Sequence, residues 1–150
     1  MLKSGHLPSW HNQQLIRRWT SACETGDVVK LRSVLHRGFN IDYFEPKELK
    51  TALIICTENQ HTECVRLLLD TKANVDAQDI YQRTALHHAA LNMDGELFRM
   101  ILLSRANWSL RDKYHKTPFK YVMEAVLSLP FVPIIHRTEY QYDPTLSVMV

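Results

Sequence analysis

Apolar positions recur along the chain at helical spacing. Leu97, Phe98, Ile101 and Leu102 fall at i, i+1, i+4 and i+5, the stripe of an amphipathic helix. Val65, Leu68 and Leu69 repeat that stripe nearer the N-terminus, and Val28, Leu31, Val34 and Leu35 repeat it again. Before the stripe at 97–102 stands a second apolar run, "TALHHAA", opened by Thr84. A threonine there predicts a helix start, because its hydroxyl accepts a backbone N–H that otherwise has no partner. Ala89 and Ala90 are small enough for another helix to approach closely. The pattern predicts an all-α protein of short paired helices. One such pair cannot bury its own apolar face, so stacked neighbours must bury it between them.

The stacking unit is visible as a repeat. "KTALIICTENQHTECVRLLLDTKANVDAQD" (residues 50–79) aligns with "RTALHHAALNMDGELFRMILLSRANWSLRD" (residues 83–112). Thr51, Thr84 and Thr117 follow one another at a step of 33, each before Ala or Pro and then Leu or Phe. Glu63 pairs with Glu96, Leu68 with Ile101, Ala73 and Asn74 with Ala106 and Asn107, and Asp79 with Asp112. Residues 22–42 match the second half of the unit, Gly38 and Asp42 paralleling Lys72 and Asp76 at a spacing of 34, so one loop there differs by a residue.

The period and the "TALHHAA" form resemble the ankyrin repeat over roughly residues 10–127. The resemblance implies an ankyrin-repeat solenoid of stacked helix-turn-helix units with hairpin loops. It divides the chain into an extension at 1–9, units at about 10–46, 47–79 and 80–112, an incomplete unit at 113–127, and an extended tail at 128–150. Two departures stand out. The family's turn glycine before the threonine is Leu49, Gln82 or His115, and the glycine ending the second helix survives only as Gly38, with Lys72 and Arg105 at the next two positions. The second of these sites wants a left-handed backbone, which a side chain adopts at about 1 kcal/mol. The array is therefore expected to be less stable than an idealised one.

Bulk properties narrow the function. The chain has 150 residues, 45% hydrophobic and 23% charged, with 18 Lys+Arg against 16 Asp+Glu and a net charge of +2. That balance points away from nucleic acid and anionic membrane as partners. No apolar run reaches the roughly 18 residues of a membrane span, and the N-terminal stretch lacks a signal-like apolar core. The cysteines number three, best read as reduced thiols of a cytoplasmic protein, with a nuclear or cytoskeleton-associated place as the alternative. There is no phosphate-cradling glycine loop and no nucleophile elbow.

His87 and His88 invite a metal or catalytic reading. Adjacent on a helix, they point about 100° apart and do not converge on one ion. By the resemblance, His87 hydrogen-bonds neighbouring backbone and ties one hairpin to the next. The sharper alternative is a zinc set of Cys56, His61, Cys64 and His88. Its spacing fits no standard finger, and Cys56 and Cys64 fall where the next unit has Ala89 and Leu97. A Cys–His nucleophile would need one of Cys23, Cys56 or Cys64 in a cleft, and all three map to packing faces. Asp79 and Asp112 read as carboxylates bonding hairpin backbone. The residues thus predict no metal, no cofactor, no small-molecule substrate and no enzyme activity.

What remains is binding of a protein partner. In the family, hairpin tips and first helices form the concave binding face. Carried across, the tips are Ile80, Tyr81, Gln82 and Arg83, then Lys113, Tyr114, His115 and Lys116, with Met93 and Asp94 in the turn between two helices. Aromatic and arginine side chains there are the types that dominate interface energetics. Beyond 127, Pro130 and Pro133 are expected to prevent a second helix, leaving Phe131, Val132, Ile134 and Ile135 as an apolar segment that either folds back or meets another chain. Phe131, Ile134 and Ile135 join the candidate partner-binding residues. Two functions follow: an adaptor using its concave face, or a structural subunit of a larger assembly docked through the unfinished C-terminal end.

Overall fold

In the computed structural model, which describes residues 9–129, helices follow one another as α1 (Ser9–Thr25), α2 (Val28–His36), α3 (Ala52–Glu58), α4 (Thr62–Asp70), α5 (Ala85–Leu91), α6 (Gly95–Leu103) and α7 (Pro118–Ser128). Among the described residues the extended structure is one bridge, Phe44 to Thr51. Helices α1/α2, α3/α4 and α5/α6 pair as antiparallel hairpins; first helices pack on first helices and second on second. The protein is all-α, as the periodicity predicts.

Each threonine of the repeat opens a helix. Thr51 Oγ1 accepts from the N–H of Ile54, Thr84 is bonded to His87, and Thr117 precedes Pro118, whose missing N–H costs nothing at a first helical position. Asp27 and Asp94 cap α2 and α6 through the N–H groups of Lys30 and Leu97. The stripes point inward. Leu31, Val34, Leu53, Ile54, Val65, Leu68, Leu86, Leu97 and Ile101 are buried between the helix layers. At the N-terminal end Trp19 is wholly buried, edge-on to Tyr43 at 5.2 Å and tilted against Phe39 at 6.1 Å.

The turns are left-handed at three sites per unit. Gly38, Lys72 and Arg105 follow second helices at φ 77°, 65° and 67°. Leu49, Gln82 and His115 sit in the hairpin tips at 55°, 60° and 59°. The third site, Gly26, Gln60 and Met93 between paired helices, is one the sequence did not announce; its φ values are 71°, 61° and 54°. Gly26 has a second reason to be glycine, since a Cβ there would lie 2.6 Å from His61 Nδ1. Lys72→Gly and Arg105→Gly should each raise stability by up to about 1 kcal/mol, read as a shift in the urea midpoint at unchanged slope. A fall in both would mean that the two side chains hold the helix ends through contacts rather than straining them.

Units are also stitched backbone to backbone. The N–H of Ile80 donates to Glu48 and that of Lys113 to Tyr81, linking successive tips at 3.0 and 2.8 Å. On the loop side, Asp42 Oδ1 accepts from Asn74 N–H and Asp76 Oδ1 from Asn107 N–H, at 2.7 and 2.8 Å. Asp42 and Asp76 are the residues paired by the 34-residue alignment.

The last helix runs on where its counterparts in the earlier units turn. Helices α3 and α5 stop at Glu58 and Leu91; the same register in α7 is Glu124, yet α7 runs on to Ser128. Its successor to the left-handed Gln60 and Met93 is Val126. A β-branched side chain strongly disfavours positive φ, so the turn is not made and the helix continues until Leu129 takes extended geometry before Pro130.

Candidate functional site

The structure separates the candidate binding residues into two groups. Ile80, Tyr81, Gln82 and Arg83 lie just before α5, and Lys113, Tyr114, His115 and Lys116 lie just before α7, so the two tips are neighbours. Met93 and Asp94 follow α5 and stand at its other end, about 10 Å of helix away. Phe131, Ile134 and Ile135 lie outside the described residues.

Within the tips, Ile80, Tyr81 and Tyr114 are 40%, 40% and 56% exposed. The Arg83 guanidinium lies over the rings of Tyr81, Tyr114 and Tyr121, at 5.4, 5.6 and 5.8 Å from their centroids. Its place in the repeat explains that posture. Lys50 and Lys116, one unit away on either side, each pair with a glutamate eight residues on, Glu58 at 2.8 Å and Glu124 at 2.6 Å. Arg83 meets Leu91 at that register and turns instead to the next unit. There its Nε stands 3.6 Å from Asp112 Oδ2, too far for a hydrogen bond, and its Nη2 donates to the Tyr121 hydroxyl at 3.5 Å. Lys116 Nζ also sits over the Tyr121 ring, at 5.1 Å. Gln82 and His115 are turn residues whose carbonyls accept from the side chains of Gln78 and Arg111.

Beneath the tips lies a buried polar pair made twice. Asp79 Oδ1 accepts the N–H groups of Tyr81 and Arg83, and Oδ2 accepts from His88 Nε2 at 2.8 Å. One unit on, Asp112 Oδ1 accepts from Tyr114 and Lys116, and Oδ2 accepts from the Tyr121 hydroxyl. Burial pushes both carboxyls up, but these bonds outweigh it and hold both below the ordinary carboxylate value. Burial and the bond to Asp112 push the Tyr121 hydroxyl upward. The hairpin bonding expected of Asp79 and Asp112 is therefore present. The second oxygen's partners, His88 and Tyr121, went unrecognised; their signal was their own 33-residue step.

His87 plays the structural role implied by the resemblance. Its Nε2–H donates to the Lys116 carbonyl at 3.1 Å, while Nδ1 accepts from the Thr84 N–H at 3.2 Å. Burial lowers its pKa, so the ring is held neutral, as these two bonds require. His61 donates to the Glu24 carbonyl at 2.9 Å. Cys23, Cys56 and Cys64 are free and buried. The Cys56 thiol is pushed up by its bond to Cys23, and Cys64 by its contact with Cys56 and by burial, so both stay protonated and lack thiolate character. Among the described residues no group of three or more His, Cys, Asp or Glu side chains is arranged to hold a metal ion.

Met93 and Asp94 serve another surface. Asp94 is occupied as a helix cap, while Met93, Phe98, Phe119 and Val122 line an apolar groove of about 160 Å³ at the C-terminal end of the stack. Phe119 stands edge-on to Phe98 at 5.2 Å and to Trp108 at 6.4 Å. At the opposite end, Glu24, Glu45, Glu48 and Glu58 border an open groove of about 510 Å³ on the inner face of α1 and α3.

No described helix is long and apolar enough to cross a membrane. A family model described as ankyrin repeats (3 copies) matches residues 20–121, more than half of the chain. Ankyrin repeats are in general protein–protein interaction modules and in general not enzymes. With the 33-residue step, the threonine-capped helix pairs, the stitched hairpin tips and this match, the chain belongs to the ankyrin repeat family.

Proposed function

We propose that the protein is an adaptor that binds a protein partner along its tips and inner face, without catalysis, in a reducing compartment such as the cytoplasm. The observation that carries this reading is the tip patch, in which exposed Tyr81 and Tyr114 flank an Arg83 already held in place by its neighbours. Rigid aromatic and arginine anchors lose little entropy on binding. Charge differs along the inner face: at the first two units Glu24, Glu45, Glu48 and Glu58 outnumber Lys47 and Lys50, which border the same groove, whereas Arg83 lies at the third unit and Lys113 and Lys116 at the last. An extended partner segment with basic residues toward one end and acidic or aromatic residues toward the other fits that division. Cross-linked capture from the native tissue tests it, with the full chain against its Tyr81→Ala/Tyr114→Ala variant. Bound proteins should fall by about tenfold or more with the variant at unchanged circular dichroism. An identical bound set from both would refute the tip patch as the anchor.

The exposed apolar end, with Leu127 at 77% and Leu129 at 64%, supports a second reading, a structural subunit built into a larger assembly. A subunit would sediment with high-mass complexes from a gentle lysate, whereas an adaptor would divide between free and bound pools.

A further inference from the structure

Lys72 and Arg105 stand just past the ends of α4 and α6, at the register where the first unit has Gly38. The structural work of that position belongs to the backbone. The N–H groups of Gly38, Lys72 and Arg105 donate to the carbonyls of Leu35, Leu69 and Leu102 at 2.9, 3.1 and 3.1 Å. Glycine makes this bond at positive φ without strain; Lys72 and Arg105 make it at 65° and 67°, which a residue with a Cβ disfavours. In the first unit a Cβ added at Gly38 would meet nothing within 4 Å, so the register asks for no packing. Both side chains are exposed, and among the described residues no ion pair includes either of them. Strained positions whose side chains the fold does not use point to a function.

The two cations border one open groove of about 700 Å³ between the ends of α4 and α6. Leu69 and Val75 supply half-buried apolar surface there, and Leu103 is 72% exposed. Asp76 accepts the Asn107 N–H at 2.8 Å, which ties the loop after Lys72 to the loop after Arg105 and fixes the width. Packed helices lie about 8–10 Å apart, so the two side chains leave the backbone about that far from one another. We propose that this groove docks an acidic segment of a protein partner, with two carboxylates about 8–10 Å apart and an apolar side chain between them. Lys72 and Arg105 take the carboxylates, and Leu103 with Val75 takes the apolar side chain. Asp70, on the same border, repels a continuous polyanion but leaves room for two spaced charges. The groove belongs to the second helices, whereas the hairpin tips lead into the first, so this docking is separate from the tip patch.

Amide chemical shifts of the full chain test the groove, with the peptide Gly-Glu-Glu-Leu-Glu-Glu-Gly as probe and a twin carrying glutamine for every glutamate. The acidic peptide should move the signals of Lys72, Ala73, Ser104 and Arg105, and the neutral twin should not. Lys72→Gln/Arg105→Gln keeps both Cβ atoms and removes only the charges; it should weaken binding by about threefold or more, the scale of two exposed ion pairs. Lys72→Gly/Arg105→Gly should weaken it equally while the fold grows more stable. Tyr81→Ala/Tyr114→Ala should bind the peptide as the native chain does, so failure of the tip patch and failure of the groove are read apart. Unmoved signals, shifts confined to Lys113 and Lys116, or equal binding by the glutamine variant would each overturn the proposal. Recruitment to phosphatidylserine vesicles without a response to the peptide would overturn it too, by assigning the cations to a membrane surface.

Discussion

Leu68→Ala should lower stability by about 2–5 kcal/mol, a loss comparable to that of any single contact in the array. Leu68 is completely buried on α4, within the cluster that also holds Val34, Leu53 and Leu97. Those residues belong to three consecutive helix pairs, so the side chain lies within an interface rather than inside one hairpin. Truncation opens a cavity that neighbouring helices cannot close, because their positions are fixed by tip-to-tip and loop-side hydrogen bonds. In a linear stack, weakening a central interface uncouples the units on either side. The urea transition should move to lower concentration and also broaden. An unchanged midpoint would mean that α4 is not packed as described.

Asp79→Ala should remove about 3 kcal/mol, since it strands buried donors that the carboxylate alone serves. The side chain accepts from Tyr81 N–H at 2.8 Å, Arg83 N–H at 2.9 Å and His88 Nε2 at 2.8 Å. Acid should act through the same group. Because its pKa is lowered in the fold, the stability Asp79 contributes is full above the unfolded value of about 3.8 and is lost as pH falls through the folded one. Asp112 behaves likewise. His87, held neutral by burial, adds an earlier loss that begins as pH drops below about 6.5. Unfolding free energy against pH should thus be level near neutrality, decline gently below about 6.5 and fall steeply below about 4. In Asp79→Ala the steep limb should be shallower. An alanine variant that keeps the full steep limb would assign the acid sensitivity elsewhere.

Much of this architecture was readable from Thr51, Thr84 and Thr117, because a helix cap is a local demand that one side chain answers at a fixed register. Lys72 and Arg105 were readable as left-handed turn residues because Gly38 marks the site in the first unit. Gly26, Gln60 and Met93 were not, since three residues with nothing in common chemically leave no pattern. Why the last unit stays a single helix was hidden for a related reason. Proline advertises a helix break, whereas Val126 breaks the repeat by continuing a helix, and only the neighbouring units' backbone angles expose it. The tips were identified by position, but the partners of Arg83 were not. Its attachment to Asp112 and Tyr121 depends on Leu91 replacing a glutamate, a relation between units rather than within one. Met93 and Asp94 were readable as the turn between two helices, and they stand there, between α5 and α6, a helix away from the tips.

Seven side chains held at positive φ each subtract up to about 1 kcal/mol from a folding margin that is thin in proteins generally. In a cell, a thin margin ties abundance to company. A partner present at about a hundred times its dissociation constant adds about 2.7 kcal/mol to the folded state, more than any one of those strained turns removes. Copies without a partner open more often and reach proteases sooner. On the proposed protein-binding role, the amount of protein then follows the amount of partner, and unbound copies are cleared without a dedicated degradation signal.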